Sequence, residues 1–180
     1  MKKTSEIAEF VPQKSDMGIV GYTGYLINRE GRRALASGAF NRVSTLEEAK
    51  EWIEGHKHDT ETDPRGFGDY VIEKGFATVV DRDGNAVEWE YTEVEKDKIF
   101  AENDIMFYEL IYETQENKYQ TFYYDSLEKA KKIIDERIEH NKQWGIDVKT
   151  YTITEKTIKR GDYSPTISNI IEEKSFTEPK

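Results

Sequence analysis

The chain has 180 residues, no cysteine, and a formal net charge of -10 from 26 basic and 36 acidic side chains. The missing thiols exclude disulfides, cysteine nucleophiles and thiolate metal sites together. The acidic balance argues against direct nucleic-acid binding, because phosphates need Lys and Arg to displace their counterions. It favours a basic partner instead.

A chain of this length has room for one larger domain or two small ones. A hydrophobic fraction of 36% with 12% aromatics supplies a core. No apolar stretch approaches the ~20 residues of a membrane helix. The start, "MKKTSEIAEF", has no apolar region behind its two lysines, so no secretory signal is expected there. A cytoplasmic protein is the simplest expectation.

Residues 1–16 are polar and read as a loose N-terminal arm, in which Ile7, Phe10 and Val11 can dock one turn. A first unit spans 17–100. It opens with two strands around Arg29-Glu30-Gly31, where glycine tolerates a positive φ. A helix over 45–55 follows, with Ser44 as N-cap, Glu47 completing a capping box, and Gly55 at the C-cap. Leu46, Ala49, Trp52 and Ile53 form its apolar stripe.

After the polar loop "HKHDTETDPRGFG", "DYVIEKGFATVV" and "AVEWEYTEV" flank Asp83-Gly84, a hairpin signal that predicts a positive φ at Gly84. Along the latter strand Val87, Trp89 and Tyr91 are expected on a core face, with Glu88 and Glu90 on a wet one.

The second unit, 101–160, repeats the order. "IMFYELIYET" and "KYQTFYY" form a hairpin around Gln115-Glu116-Asn117. Asp125 caps a helix over 126–142, Leu127, Ala130, Ile134 and Ile138 form its stripe, and Gly145 ends it. "DVKTYTITEKTIK" is a further strand. The tail, 161–180, is expected to hold a short docked helix through Ile167, Ile170 and Ile171.

Laid over each other at an offset of 81, the two helices match at Leu46/Leu127, Glu47/Glu128, Ala49/Ala130, Lys50/Lys131 and Ile53/Ile134. The expected fold is therefore α+β, two strand–strand–helix–strand units with antiparallel sheets, the first carrying an extra hairpin strand. The shared order of hairpin, helix and strand points to an internal duplication. Each unit is too small to bury much core alone, so the two should pack together.

Candidate chemistry is thin. His56, His58, Asp59 and Asp63 have metal-ligand character, but "HKHD" lies in a polar loop without a second ligand pair, and exposed loop histidines are the plainer reading. "DRDGN" opens like a calcium loop, yet Ala86 stands where glycine is needed and Thr92 where a bidentate Glu belongs. "RGFGD" lacks the strand-to-helix context of a phosphate loop. His140 sits near a helix end, where a positive side chain suits the dipole. With three histidines and no nucleophile elbow, a hydrolytic triad has no footing. No enzyme, cofactor or metal is expected.

Two surface features remain. Between Glu88 and Glu116 ten carboxylates face two cations, Lys96 and Lys98. Glu88, Glu90, Glu93 and Glu95 lie on a strand and its exit, and Asp97, Glu102 and Asp104 extend the window. Alternate strand residues stand about 6.8 Å apart, close to two phosphate steps of ~3.4 Å along one DNA strand. Such a row can imitate a phosphate row; the plainer alternative is a solvated sheet face. The second feature is the aromatic hairpin, where Phe107, Tyr108, Tyr112, Tyr119, Phe122, Tyr123 and Tyr124 fall on both faces. Tyr108, Tyr112 and Tyr123 are candidate interface anchors, with burial between the two units as the alternative.

In size, charge and absence of a catalytic signature the whole chain resembles the accessory proteins of phages and mobile elements, among them anti-CRISPR inhibitors and antirestriction proteins. The resemblance implies a host-cytosol inhibitor that blocks a nucleic-acid-binding defence nuclease, such as a CRISPR nuclease, in part as a DNA mimic. The alternative is a small regulatory or scaffold module whose aromatic surface mediates protein–protein contact or homo-oligomerisation.

Overall fold

The computed structural model describes residues 13–14, 20–37, 45–83 and 85–176. The docking of Ile7, Phe10 and Val11, the capping role of Ser44 and the φ of Gly84 lie outside the described residues. The elements are β1 (Gln13–Lys14), β2 (Val20–Asn28), β3 (Arg33–Ala36), α1 (Leu46–His56), β4 (Phe67–Val80), β5 (Ala86–Lys98), β6 (Ile105–Thr114), β7 (Tyr119–Tyr124), α2 (Leu127–Gln143), β8 (Val148–Ile158) and β9 (Ile167–Ser175). The fold is α+β.

Both sheets are antiparallel and share one layout. The first runs β3-β2-β4-β5, with β1 added against the end of β4, and the second runs β7-β6-β8-β9. In each, a hairpin leads to a helix, and the strand after the helix pairs with the first strand of the hairpin. A fourth strand then closes the outer side of that third one. The two ββαββ units are consistent with a duplication.

The C-terminal segment is the main correction to the sequence reading. Ile167, Ile170 and Ile171 have helical spacing, but residues 167–175 form β9 and not a docked helix. β8 would otherwise offer an open edge, and β-branched isoleucines suit a pleated strand. The second unit therefore extends past 160 and acquires the fourth strand that had been assigned to the first unit alone.

The helices stand one residue from expectation. α1 is capped by Thr45, whose hydroxyl accepts from Glu48 N while the Glu48 carboxylate accepts from Thr45 N. Gly55 lies inside α1, whose last residue is His56 and whose C-cap is Lys57. α2 is capped by Ser126 and not Asp125, and Gly145 just beyond it has φ 69°. Ala49 and Ile53 bury α1 against Leu26, Phe67, Ile72 and Ile99; Ala130 and Ile134 bury α2 against Leu110, Tyr112, Tyr151 and Ile153. Three of the five matched pairs, Leu46/Leu127, Ala49/Ala130 and Ile53/Ile134, are thus the core contacts of each unit.

A third cluster, Ala101, Phe107 and Ile158 with Ile105 and Tyr123, lies where the units meet. Main-chain bonds Ala101 N to Asp162 O (3.0 Å) and Gly161 N to Ala101 O (2.8 Å) stitch the linker to the second unit. Arg65 donates two bonds to Asp63 (2.9 and 2.7 Å) and lies 3.5 Å over the Tyr123 ring, carrying a first-unit loop onto the second sheet. Arg29 donates to the carbonyls of Arg65 (2.8 Å) and Tyr163, and the Tyr163 hydroxyl donates to Asp69 (2.9 Å).

Candidate functional site

The acidic window divides between β5 with the loop that follows it and, in the second sheet, β6, where Glu109 and Glu113 pair with Lys156 and Lys149. Among the described residues β5 pairs only with β4, so they leave its outer side an open sheet edge. Its register with β4 shifts at three places, and the shift nearest α1 decides where the carboxylates fall. Ile72 pairs with Glu95 but Glu73 pairs with Glu93, which leaves Val94 as an unpaired extra residue. Ile72 and Tyr70 face α1, and their partners are Glu95 and Asp97; farther along, Phe76 pairs with Glu90. The bulge therefore returns Glu95 and Asp97 to the face that carries Glu88 and Glu90, while Glu93 joins Trp89 and Tyr91 behind. Without it, sequence parity would divide the row.

The face of Val87, Trp89 and Tyr91 is not the core expected of it. Val87 and Tyr91 are about half exposed and Trp89 is partly buried. Trp89 and Tyr91 pair with Ala77 and Gly75 on the face of β4 turned away from α1, so the helix does not cover them.

The carboxylates divide by partner. Glu95 accepts from Lys50 Nζ (2.6 Å) and from the Tyr70 hydroxyl (2.8 Å). Lys50 first, and Tyr70 second, hold its carboxyl below the usual carboxylate range. Burial first and Glu95 second push the Tyr70 hydroxyl up to about 12. Asp104 accepts from Lys159 Nζ (2.6 Å) and Arg160 N (2.9 Å), which lower its pKa in that order. Glu102 lies 3.7 Å from His58 Nε2. Glu88, Glu90, Glu93 and Asp97 are exposed and form no ion pair with the described residues. Beside them a groove of about 570 Å³ opens between α1 and β5, lined by Lys50, Lys57, Tyr70, Glu95, Asp97 and Phe100.

The aromatic hairpin divides too. Tyr112 is 2% exposed in the second core, stacked on Phe122, and its hydroxyl donates to Gln120 (2.7 Å). Tyr108 packs against the same core and donates to Glu155 (3.1 Å); burial first, then Glu155, raise its pKa. Tyr123 is held at the seam beneath Arg65, edge-on to Phe107, and burial is the largest cause of its raised pKa. Of the three candidate anchors, two belong to a core and one to the junction between units.

The histidine-rich loop disperses its ligands. His56 Nδ1 lies 2.8 Å from Trp52 O and its ring stacks on Trp52, Asp59 accepts from Glu61 N, and Asp63 is taken by Arg65. Among the described residues no group of three or more His, Asp or Glu side chains is arranged to hold a metal ion. No helix among them is long and apolar enough to cross a membrane.

One constellation escaped the sequence reading because its members are distant in the chain. Lys50, Tyr70 and Glu95 recur as Lys131, Tyr151 and Glu172: Lys131 Nζ lies 3.0 Å from Glu172, and the Tyr151 hydroxyl donates to the same carboxylate. Tyr151 stands 81 residues after Tyr70, the offset that relates the helices. The bulge recurs at the matching rung, since Ile153 pairs with Glu172 and Thr154 with Ile170. In both units this triad fastens the fourth strand to the helix. No protein-family model, curated protein or solved structure matches the chain.

Proposed function

We propose that the protein is a non-enzymatic inhibitor that binds a nucleic-acid-binding defence nuclease of the CRISPR type, presenting the acidic edge of β5 to its basic nucleic-acid surface. What carries the reading is that Glu88, Glu90 and Asp97 share one face of an open edge strand, exposed and without a partner cation among the described residues. A partner lysine or arginine reaching this edge displaces only water and weakly held counterions. β5 itself carries five carboxylates, Glu88, Glu90, Glu93, Glu95 and Asp97, against Lys96 and Lys98, an excess of negative charge that speeds the approach of a positive surface. The aromatic hairpin is less suited to the role, since Tyr108 and Tyr112 pack in a core.

The test is the triple variant Glu88→Lys, Glu90→Lys, Glu93→Lys. Exposed charges contribute little to stability, so its melting temperature should stay near the parent's. Inhibition of DNA binding by a CRISPR nuclease should fall steeply, chiefly through slower association at low salt. Inhibition that survives the reversal, or a parent that inhibits no such nuclease, removes the proposal.

A further inference from the structure

The repeated layout places two fourth strands at corresponding sheet edges, and the two edges differ. An open edge exposes a row of unpaired N–H and C=O groups that can pair with another chain, and proteins guard such edges with charge. β5 is guarded: seven of its thirteen residues are charged. Among the described residues β9 pairs only with β8, and it has three charged residues in nine, all in its second half. Tyr163 to Ile171 is an uncharged run of nine residues in a chain that is 34% charged. Ile167, Ile170 and Ile171 are exposed along this edge, Ile170 at 66%. β7, the opposite edge of the same sheet, is shorter, and its far end lies under Arg65.

We propose that β9 pairs antiparallel with β9 of a second copy of this chain, about a two-fold axis at Asn169. The chemistry of the edge names the occupant. Open backbone groups call for a strand, and an uncharged strand is needed to meet these isoleucines. A copy of this chain supplies one despite its net charge of -10. In the register centred on Asn169, Ile167 meets Ile171 of the copy and Ser168 meets Ile170. Glu172, Glu173 and Lys174 fall opposite Thr166, Pro165 and Ser164, so no like charges oppose. The bulge at Ile171 ends the regular stretch after Ile170, so the regular pairing is short, residues 168–170 of each chain, with Ile167 and Ile171 meeting at its ends. The product is one sheet of eight strands with an isologous interface.

Light scattering on the full chain at about 100 μM, well above a micromolar dissociation constant, should give twice the 21.0 kDa chain mass. Ile170→Lys with Ile171→Lys should halve that mass with an unchanged circular dichroism spectrum, since both side chains are exposed. The chain has no cysteine, so Asn169→Cys is a clean second arm. Directly opposed strand residues lie ~4.5–5.5 Å apart at Cα, within disulfide reach. Asn169→Cys should therefore cross-link on oxidation, and Glu90→Cys on β5 should not. A monomeric parent, a dimer that survives the double lysine variant, or cross-linking no better at 169 than at 90 overturns the proposal. The reversal of Glu88, Glu90 and Glu93 should leave the mass unchanged, so the two proposals fail separately.

Discussion

Replacing Glu172 by Gln probes the triad that fastens β9 to α2. Glu172 accepts from the Tyr151 hydroxyl and stands 3.0 Å from Lys131 and 3.5 Å from Lys174. Tyr151 first, and Lys131 next, bring its carboxyl down to about 2. A depression of that size below the ordinary 4.5, at ~1.4 kcal/mol per pH unit, corresponds to about 3 kcal/mol. The side chain is 24% exposed, so water screens the ion pairs and a realised value of ~1–2 kcal/mol is expected. The carboxyl titrates lower in the folded chain than in the unfolded one. Its contribution is therefore complete above pH 4.5 and is lost as pH falls towards 2. Glu172→Gln keeps an acceptor for Tyr151 but loses both lysines. It should lower the melting temperature at pH 7 by ~2–8 °C, given ~2–4 °C per kcal/mol for a chain of this size. The deficit should shrink at pH 3, where the carboxyl of the unfolded parent is protonated while the folded one, at about 2, still holds its charge. Thermal melts of both proteins at pH 7 and pH 3 make the comparison. An equal deficit at both pH values would show that packing, and not the carboxylate charge, holds the strand.

Gly24→Ala should cost ~1–3 kcal/mol in urea unfolding, because its Cβ would stand 3.0 Å from Ile53 Cγ1 inside the first core, and Ile53→Val in the same chain should recover part of the loss. Arg65→Met should cost about 3 kcal/mol by leaving the Asp63 carboxylate buried without its guanidinium. Adding Asp63→Asn should give a double variant less destabilised than the sum of the single changes; simple additivity would show that the pair is not coupled.

The helices were legible because each carries its own punctuation: a hydroxyl cap, an acid in the first turn, and a stripe of spacing three and four. Each cap shifted by one residue because Ser44-Thr45 and Asp125-Ser126 offer two candidates in succession, and only geometry selects Thr45 and Ser126. β9 was misread because Ile167, Ile170 and Ile171 fit a helical stripe as well as a bulged strand. A bulge is an interruption of pairing, and its partner strand is not local in sequence. The triads were missed for a related reason. Lys50 and Glu95 look like ordinary surface charges, and 45 positions separate them. The signal was nevertheless present, since extending the alignment beyond the helices pairs Tyr70 with Tyr151 at the same offset of 81. The roles of Tyr108 and Tyr112 were ambiguous because aromatics on both faces of β6 and β7 do not say which face meets α2.

The difference between the two edges begins one rung from the shared triad. Tyr70 pairs with Asp97 across β4 and β5, whereas Tyr151 pairs with Lys174 across β8 and β9. Lys174 lies 5.7 Å over the Tyr151 ring and 3.5 Å from Glu172, so that rung neutralises itself. Asp97 adds a second carboxylate beside Glu95, whose charge Lys50 already answers, and the surplus is left facing solvent. One scaffold, fastened in the same way twice, thus has one edge where charge keeps other strands off and one where little does. Pairing through β9 would leave both β5 edges at unpaired positions of the dimer, available to basic partners at once. For a target with two basic sites within reach, the second contact would then be intramolecular, and its strength would be set by the spacing of the two edges and not by any new residue.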